Sequence, residues 1–229
     1  MSPTFQKIEP ISKKTRIVAT LREAIIAGTV RSGEQIVEGK LAQELGVGQG
    51  LIREALIELE HQGFVQRTPF SGTQVTELTL QDAKQIFDLR IELEPLAFSL
   101  AGPNATGQQL SELRDMAERA TSASKGGDLD AFFEDHLAFR KKVWKLSGNR
   151  YLEQVLERLV IPLYALYVIR RSYNLEGIRQ TTIDCTEHQD RILAAYEQKD
   201  YEAAREIARD FLKRMKEYLG TRLPPASTS

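Results

Sequence analysis

The chain has 229 residues, 41% of them hydrophobic and 28% charged, a balance that excludes disordered and membrane-embedded classes and leaves a globular protein of one large or two ordinary domains. Its formal net charge is -1, and residues 1–77 carry nine Lys/Arg against nine Glu, so the overall field does not favour nucleic acid. No apolar run approaches the roughly 20 residues of a membrane helix and the start lacks an apolar secretion signal, so we expect no membrane partner and a cytoplasmic location.

The first predicted elements are three helices in quick succession. Apolar residues recur at helical spacing over 13–27, and RSGEQI then predicts a turn into a very short extended piece. A second helix over about 38–45 ends at Gly46, and a third begins almost at once in GQGLIREALIELEHQG and ends at Gly63. Two such helices joined by the tight turn GVG have the spacing of a helix-turn-helix, whose second helix enters the DNA major groove.

A hairpin is predicted next, in FVQRTPFSGTQV, because β-prone arms at 64–67 and 73–75 flank PFSG. A hairpin directly after a recognition helix is a wing. The composition changes near 76–79, and only helical patterns follow, at roughly 79–101, 108–124, 128–146, 151–174, 177–198 and 200–219. Pro95 and Pro162 fall inside these patterns and predict kinks or local breaks.

The sequence therefore predicts a mainly α protein in three parts. Residues 1–77 form a winged helix-turn-helix that binds DNA. Residues 78–222 form an all-α antiparallel helical bundle that binds a ligand and dimerises, and residues 223–229 form a flexible tail.

The first part resembles the DNA-binding half of the GntR regulator family in the run LREAIIAGTVRSGEQIVEGKLAQELGVGQGLIREALIELEHQGFV. The later helices are similar to the FadR-type ligand-binding domain called FCD, through DLRIELEPLAFSLA, LSGN and EH-x3-IL in the same order. The resemblance covers about residues 15–219. It implies a homodimeric, ligand-responsive repressor or activator that binds double-stranded operator DNA and a small carboxylate-type effector. We expect a repressor, and we expect no cofactor.

The recognition helix departs from that family's usual pattern. Gln49 stands at a common arginine position, Gly48 and Gly50 replace hydroxyl residues, and Gly39 occupies another common arginine position. Each bidentate arginine contact contributes ~1 to 3 kcal/mol of discrimination, so we expect an unusual operator. The predicted DNA-binding residues are Lys40, Gly48, Gln49, Gly50, Arg53, Arg67 and Gly72.

Two of these side chains have open alternatives. Gln49 either reads adenine through its amide or is a solvated polar residue. Arg53 lies one turn further along the helix and either contacts DNA or forms a surface ion pair with Glu54 or Glu58.

Polar residues interrupt an apolar stripe in the predicted helix 128–146. His136 and Arg140 lie on that stripe four residues apart, where an unpartnered charge would be costly. His188 shares a later helical face with Cys185. The three basic groups are predicted to converge in the bundle core, where the alternative is ordinary hydrogen-bonded core histidines.

The resemblance also implies a divalent metal held by an aspartate and three histidines. Those positions fall on His136, Arg140, His188 and Phe211, and a guanidinium disfavours a cation, so we expect no metal and keep only His136 and His188 as residual candidates. We expect Arg140 to bind an anionic ligand directly, with His136 and His188 as hydrogen-bond donors.

Weaker candidates complete the predicted pocket. Arg90 either lines it or pairs with Glu94 one turn away, and Tyr164 and Tyr167 either contact ligand or pack in the core. Trp144 on the apolar stripe is interpreted as core, and Cys185 as core rather than as a reactive thiol.

The sequence leaves two other functional classes as alternatives. An enzyme is poorly supported, because the chain has no glycine-rich phosphate loop, no nucleophile elbow and no complete metal-ligand set. The other alternative is a regulator that has lost its ligand and works as a constitutive DNA-binding or protein-interaction module.

Overall fold

The computed structural model describes residues 12–26, 29–68, 72–77, 79–170 and 175–222, with the side chains of 26, 164–170, 175–178 and 220–222 left out. The chain divides into two compact units, Met1–Glu77 and Leu78–Ser229. None of the helices in this described part of the chain is long and apolar enough to cross a bilayer.

The first unit combines helices with a small sheet, in the order α1 (Lys13–Ile26), β1 (Gln35–Ile36), α2 (Glu38–Glu44), α3 (Gln49–His61), β2 (Val65–Thr68) and β3 (Gly72–Val75). The antiparallel sheet has the strand order β1-β3-β2. Gln66 on β2 and Gln35 on β1 both lie opposite Gln74 on β3. The predicted wing is therefore confirmed, and the short extended piece before α2 is a third strand paired with it.

The core of the first unit lies between α1 and α3. On α3 the fully buried residues follow helical spacing, at Ile52, Ala55, Leu56 and Leu59. On α1 the buried residues are Ile17, Val18, Leu21 and Ile25. Gly46 and Gly63, which follow α2 and α3, have φ of 62° and 76°, the left-handed conformation that glycine adopts without strain.

The second unit contains six helices in its described residues: α4 (Leu80–Asn104), α5 (Gly107–Gly126), α6 (Leu129–Leu146), α7 (Arg150–Arg170), α8 (Leu175–Glu197) and α9 (Tyr201–Arg222). Capping boxes begin the first two, Thr79 with Asp82 and Thr106 with Gln109. The all-α prediction for this part of the chain is confirmed.

A large apolar cluster joins α4, α5, α6, α8 and α9. Its buried members include Phe98, Leu113, Phe139, Val143 and Ile192. Trp144 is also fully buried, as predicted. The cluster fixes α4 and α6 side by side, which places the polar residues of both helices in the interior.

The prolines do not break their helices. Pro95 lies inside α4 and Pro162 inside α7, and each helix continues on both sides, so of the predicted kinks or local breaks the breaks do not occur. A proline removes one backbone hydrogen bond, and the buried face of α4 around Ala97 and Phe98 keeps that helix in place. α4 also runs through Gly102 to Asn104 instead of ending at 101.

Candidate functional site

The exposed side of α3 is the candidate DNA-reading surface. Gly48 caps its N-terminal end with extended backbone and no side-chain hydrogen bond. Gln49, Gly50 and Arg53 are exposed on the turns that follow. Since the opposite side of α3 is buried in the core, this side is free to enter a groove.

Arg53 is held by an ion pair with Glu38, the first residue of α2. Its Nη2 and Nε donate to Glu38 Oε2 at 2.9 and 3.2 Å. The hydrogen bond to Glu38, and then the carboxylate charge, raise the pKa of Arg53. The sequence suggested Glu54 or Glu58 as the surface partner, whereas the structure uses Glu38 on the preceding helix. With the Arg53 side chain 57% exposed, water or a phosphate can replace this partner.

Gln49 lies over Gly39 of α2. A Cβ atom at Gly39 would stand 3.0 Å from Gln49 Nε2, tighter than nine in ten real contacts of a Cβ, so a side chain there would require the amide to shift slightly. Gly39 and Gln49, the two residues that replace the family's common arginines, therefore lie next to each other. Gly48 and Gly50 have open space where a Cβ would stand.

The other predicted DNA-binding residues lie around this surface. Lys40 is exposed on α2, with its Nζ 3.8 Å from Glu44 Oε1. Arg67 is half-buried on β2, and its backbone N–H donates to Glu60 Oε1 at 3.2 Å. Gly72 begins β3 with φ of 86°, in the left-handed region that favours glycine.

The second unit contains a buried ion network between α4 and α6. Arg140 Nη1 donates to Glu94 Oε1 at 2.6 Å, and Arg90 Nη2 lies 2.9 Å from Glu94 Oε2. The side chains of Arg90, Glu94 and Arg140 are 5%, 0% and 2% exposed. Burial alone would raise the pKa of Glu94, but the charges of Arg140 and Arg90 and their hydrogen bonds outweigh it and lower that pKa.

A small cavity of about 30 Å³ lies beside this network. Apolar and aromatic side chains dominate its wall, and the two guanidinium groups supply its charge. The lining residues in the described part of the chain are Phe87, Arg90, Phe133, His136, Arg140, Thr181, Cys185, Phe211 and Met215. Burial raises the pKa of Cys185 to about 12, which supports its interpretation as a core thiol.

His136 is a neutral hydrogen-bond acceptor in this wall. Arg140 Nε donates to His136 Nε2 at 3.3 Å, so the proton of the imidazole must sit on Nδ1. Burial, and then the charge of Arg140, lower the pKa of His136 well below its ordinary value. The ring also stacks on Phe132, with 5.4 Å between centroids. His136 therefore helps to orient the guanidinium that faces the cavity.

His188 lies one layer behind the wall. It does not line the cavity itself. Its ring stacks on that of Phe211, a lining residue, with 4.2 Å between the ring centroids. Burial lowers the pKa of His188 well below its ordinary value, and Arg140 lowers it further. Among the described residues neither ring nitrogen finds a hydrogen-bond partner. The structure thus brings Arg140 and His136 to the cavity and corrects the expectation that His188 shares their wall.

The four positions that the family resemblance assigns to a metal do not fit one. Arg140 Nε already uses the Nε2 lone pair of His136, and Phe211 covers one face of His188. Within the described ranges no group of three His, Cys, Asp or Glu could hold a metal ion. The donor set is too small for a divalent cation, and an arginine, which cannot donate a lone pair, holds one of the four positions.

Glu94 is the site residue that the sequence reasoning did not place. The sequence offered it only as a partner for Arg90, one turn away. The signal available was an arginine on a buried stripe, because such a charge needs an acid partner somewhere in the core. Tyr164 and Tyr167 lie outside the described side chains.

Each of the two units matches a known protein family. Residues 13–75 match the family described as bacterial regulatory proteins, gntR family, and residues 85–214 match the FCD domain. YdhC, an uncharacterized HTH-type transcriptional regulator of Bacillus subtilis, is 30% identical over 203 residues, which cover 88% of each chain. The gluconate operon transcriptional repressor of Bacillus licheniformis is 28% identical over 148 residues, covering 65% of this chain and 60% of that protein.

Solved structures share the fold. That of McbR/YncC from Escherichia coli superposes with a TM-score of 0.68 at 24% identity, covering 93% of this chain and 99% of its own. The curated McbR sequence is 25% identical over 212 residues. A GntR-type regulator from Rhodococcus sp. RHA1 superposes with a TM-score of 0.65 at 19% identity, covering 93% of this chain and 99% of its own.

Proposed function

Because the chain belongs to the GntR family of bacterial regulatory proteins and carries an FCD domain, we propose that it is a ligand-responsive repressor whose affinity for operator DNA changes when a small anionic metabolite binds in its helical unit. The chain is a DNA-binding transcription regulator and not an enzyme, in keeping with relatives that are HTH-type regulators and repressors. The repressor role and the response to a ligand are the proposal.

The exposed side of α3 supports sequence-specific reading of DNA. Gln49 can present its amide to adenine, and Arg53 can leave Glu38 for a guanine or a phosphate. The first 77 residues carry no net charge, so DNA binding depends on these local groups and on the wing rather than on a general attraction. Lys40, Arg67 and Gly72 are assigned to the flanking phosphate contacts.

One observation carries the ligand proposal: two buried arginines line an otherwise largely apolar cavity in the interior of the helical unit. An apolar wall with a few convergent polar groups is the usual form of a small-molecule site. Arginine matches a carboxylate in shape and charge, which favours a carboxylate-type effector. The cavity is small, so we infer that the surrounding helices move apart when the ligand enters.

The proposed mechanism is allosteric and dimeric. One short recognition helix reads few bases, so two copies on a two-fold operator multiply the affinity. Ligand binding in the helical unit favours one conformation of the dimer, and the operator fits the other.

DNA binding is tested by fluorescence anisotropy with fragments from the region upstream of the protein's own gene, at several salt concentrations. We expect one fragment to bind tightly, with affinity falling as salt rises, and Arg53→Ala to weaken it at least ~5-fold. Arg114→Ala is the control, since this arginine is an exposed partner of Glu197 in the helical unit. Binding that is undetectable on every fragment contradicts the proposal.

Ligand response is tested on the same fragment with a panel of organic and sugar acids. An effector should release the DNA from the wild-type protein but not from Arg140→Ala. Metal analysis of the purified protein should find no stoichiometric transition ion. If no acid changes DNA binding, the protein is a constitutive regulator.

A further inference from the structure

The buried ion network also determines the net charge beside the cavity. Arg90 and Arg140 both line the cavity, whereas Glu94 does not. Each oxygen of Glu94 is engaged by a different arginine, Oε1 by Arg140 and Oε2 by Arg90. Glu94 therefore neutralises one of the two positive charges without itself lining the cavity.

The other charges near the cavity do not alter this balance. His136 and His188 are neutral, since burial and the arginines keep their pKa values low. Arg191 and Arg214, which act on His188 from a distance, are exposed, and Asp184 is only half-buried and accepts a hydrogen bond from Gln180. Among the described lining residues the arginines are the only charged ones. Two cations and one internal anion leave a single positive charge.

We infer that Glu94 is a specificity-determining residue: it sets the cavity at one net positive charge, so that the site takes a monoanion with an apolar body and rejects the matching dianion. This rests on the proposed ligand-binding function. A single carboxylate completes the charge balance, whereas a second one would be buried without a partner among Phe87, Phe133, Phe211 and Met215. The expected class is an apolar or aromatic monocarboxylic acid.

The test measures affinities of matched acids by calorimetry and thermal shift on the full-length protein. Benzoate is compared with isophthalate and hexanoate with adipate at pH 7.5, where all carboxyl groups are ionised, and benzamide serves as the neutral control. The wild-type protein should bind each monoanion at least ~10-fold more tightly than its dianion, and benzamide should not bind.

A charge series then separates the role of Glu94 from that of individual contacts. Glu94→Gln leaves two positive charges and should reverse the preference towards the dianion. Arg90→Gln leaves no net charge and should lose both ligands. The double variant R90Q/E94Q returns to one positive charge, carried by Arg140, and should recover the preference for the monoanion. If E94Q does not fold, loss in R90Q and recovery in the double variant decide the matter.

Two failures can be told apart. If none of the four acids stabilises or binds the wild-type protein, the inference falls together with the proposal of an anionic effector. If acids bind but the wild type accepts dianions equally well, or the preference does not follow the charge across the series, only the role of Glu94 is overturned.

Discussion

The two units hold arginine–glutamate pairs of similar geometry in opposite surroundings. In the first unit, Arg53 and Glu38 meet with side chains that are 57% and 24% exposed. In the second, Arg140 and Glu94 meet with side chains that are 2% and 0% exposed. At the surface water can replace either partner, so the contact is compatible with the proposed exchange of Glu38 for DNA at Arg53. In the interior neither partner can be replaced by water, so the pair fixes local charge and geometry.

The largest expected effect comes from removing the shared carboxylate of the buried network. Glu94→Ala leaves two buried guanidinium groups without their anion, and breaking such a pair costs ~3 to 5 kcal/mol of unfolding free energy. Urea unfolding followed by fluorescence of Trp144, the only tryptophan, reports on the helical unit. Glu38→Ala is the surface counterpart and should leave that transition in place. If both variants lower the unfolding free energy by the same small amount, the proposed difference between the buried and the exposed ion pair is wrong.

Acid should weaken the helical unit before it affects any carboxylate pair. Unfolded histidine takes up a proton near pH 6.5, whereas the lowered pKa values of His136 and His188 delay uptake in the folded state. Their contribution is complete above pH 6.5 and is lost as the pH falls towards the folded pKa values, by about 1.4 kcal/mol per pH unit for each imidazole. Urea unfolding between pH 7.5 and 5.5 measures this slope.

His188→Phe is the matched variant for the pH experiment, because a phenyl ring can keep the stacking on Phe211 without a titratable group. The acid slope of the variant should fall to about half that of the wild type. A wild-type stability that does not change between pH 6.5 and 5.5 would show that the imidazoles protonate normally in the folded protein.

A glycine-to-alanine substitution should change stability in opposite directions in the two units, because the glycines chosen differ in how tightly they are packed. A Cβ at Gly102 of α4 would stand 2.3 Å from Tyr201 Cδ1 and 3.0 Å from Tyr196 Cδ1, so Gly102→Ala forces two rings to move. We expect a loss of ~1 to 3 kcal/mol in the Trp144 transition. A stabilised Gly102→Ala variant would mean that the contact between α4 and α9 is loose.

The smallest effect has the opposite sign. Gly50 of α3 has nothing within 4 Å of a Cβ, so Gly50→Ala gains helix propensity of ~0.5 to 1 kcal/mol without a clash. Hydrogen exchange of α3 amides in the full-length protein should slow about 2- to 5-fold. Faster exchange would indicate that this helix start depends on glycine for its backbone conformation.

Sequence reasoning predicted what local periodicity determines. Buried faces such as Ile52, Ala55, Leu56 and Leu59 on α3 repeat at helical spacing, and glycines such as Gly46 and Gly63 mark where helices end, so the helices and the wing could be derived. Resemblance to a known family supplied the pairing of a DNA-reading head with a helical sensor.

Contacts between distant parts of the chain could not be derived in the same way. Glu94 and Arg140 are 46 positions apart and meet only because the apolar cluster sets α4 beside α6. The pairing of β1 with β3 and the partner of Arg53 on α2 are likewise products of tertiary packing. His188 lies behind the cavity wall because its ring stacks on Phe211 of another helix, and the spacing of residues along the sequence does not reveal that contact.

The two-residue strand β1 has a structural consequence for the first unit. Its residues Gln35 and Ile36 pair with Gln74 and Thr73 at the far end of the unit's sequence, so one ladder encloses everything from α2 to the hairpin. The pairing therefore ties the segment that precedes α2 directly to the hairpin. If α3 and the wing contact operator DNA as proposed, we expect them to dock together rather than independently.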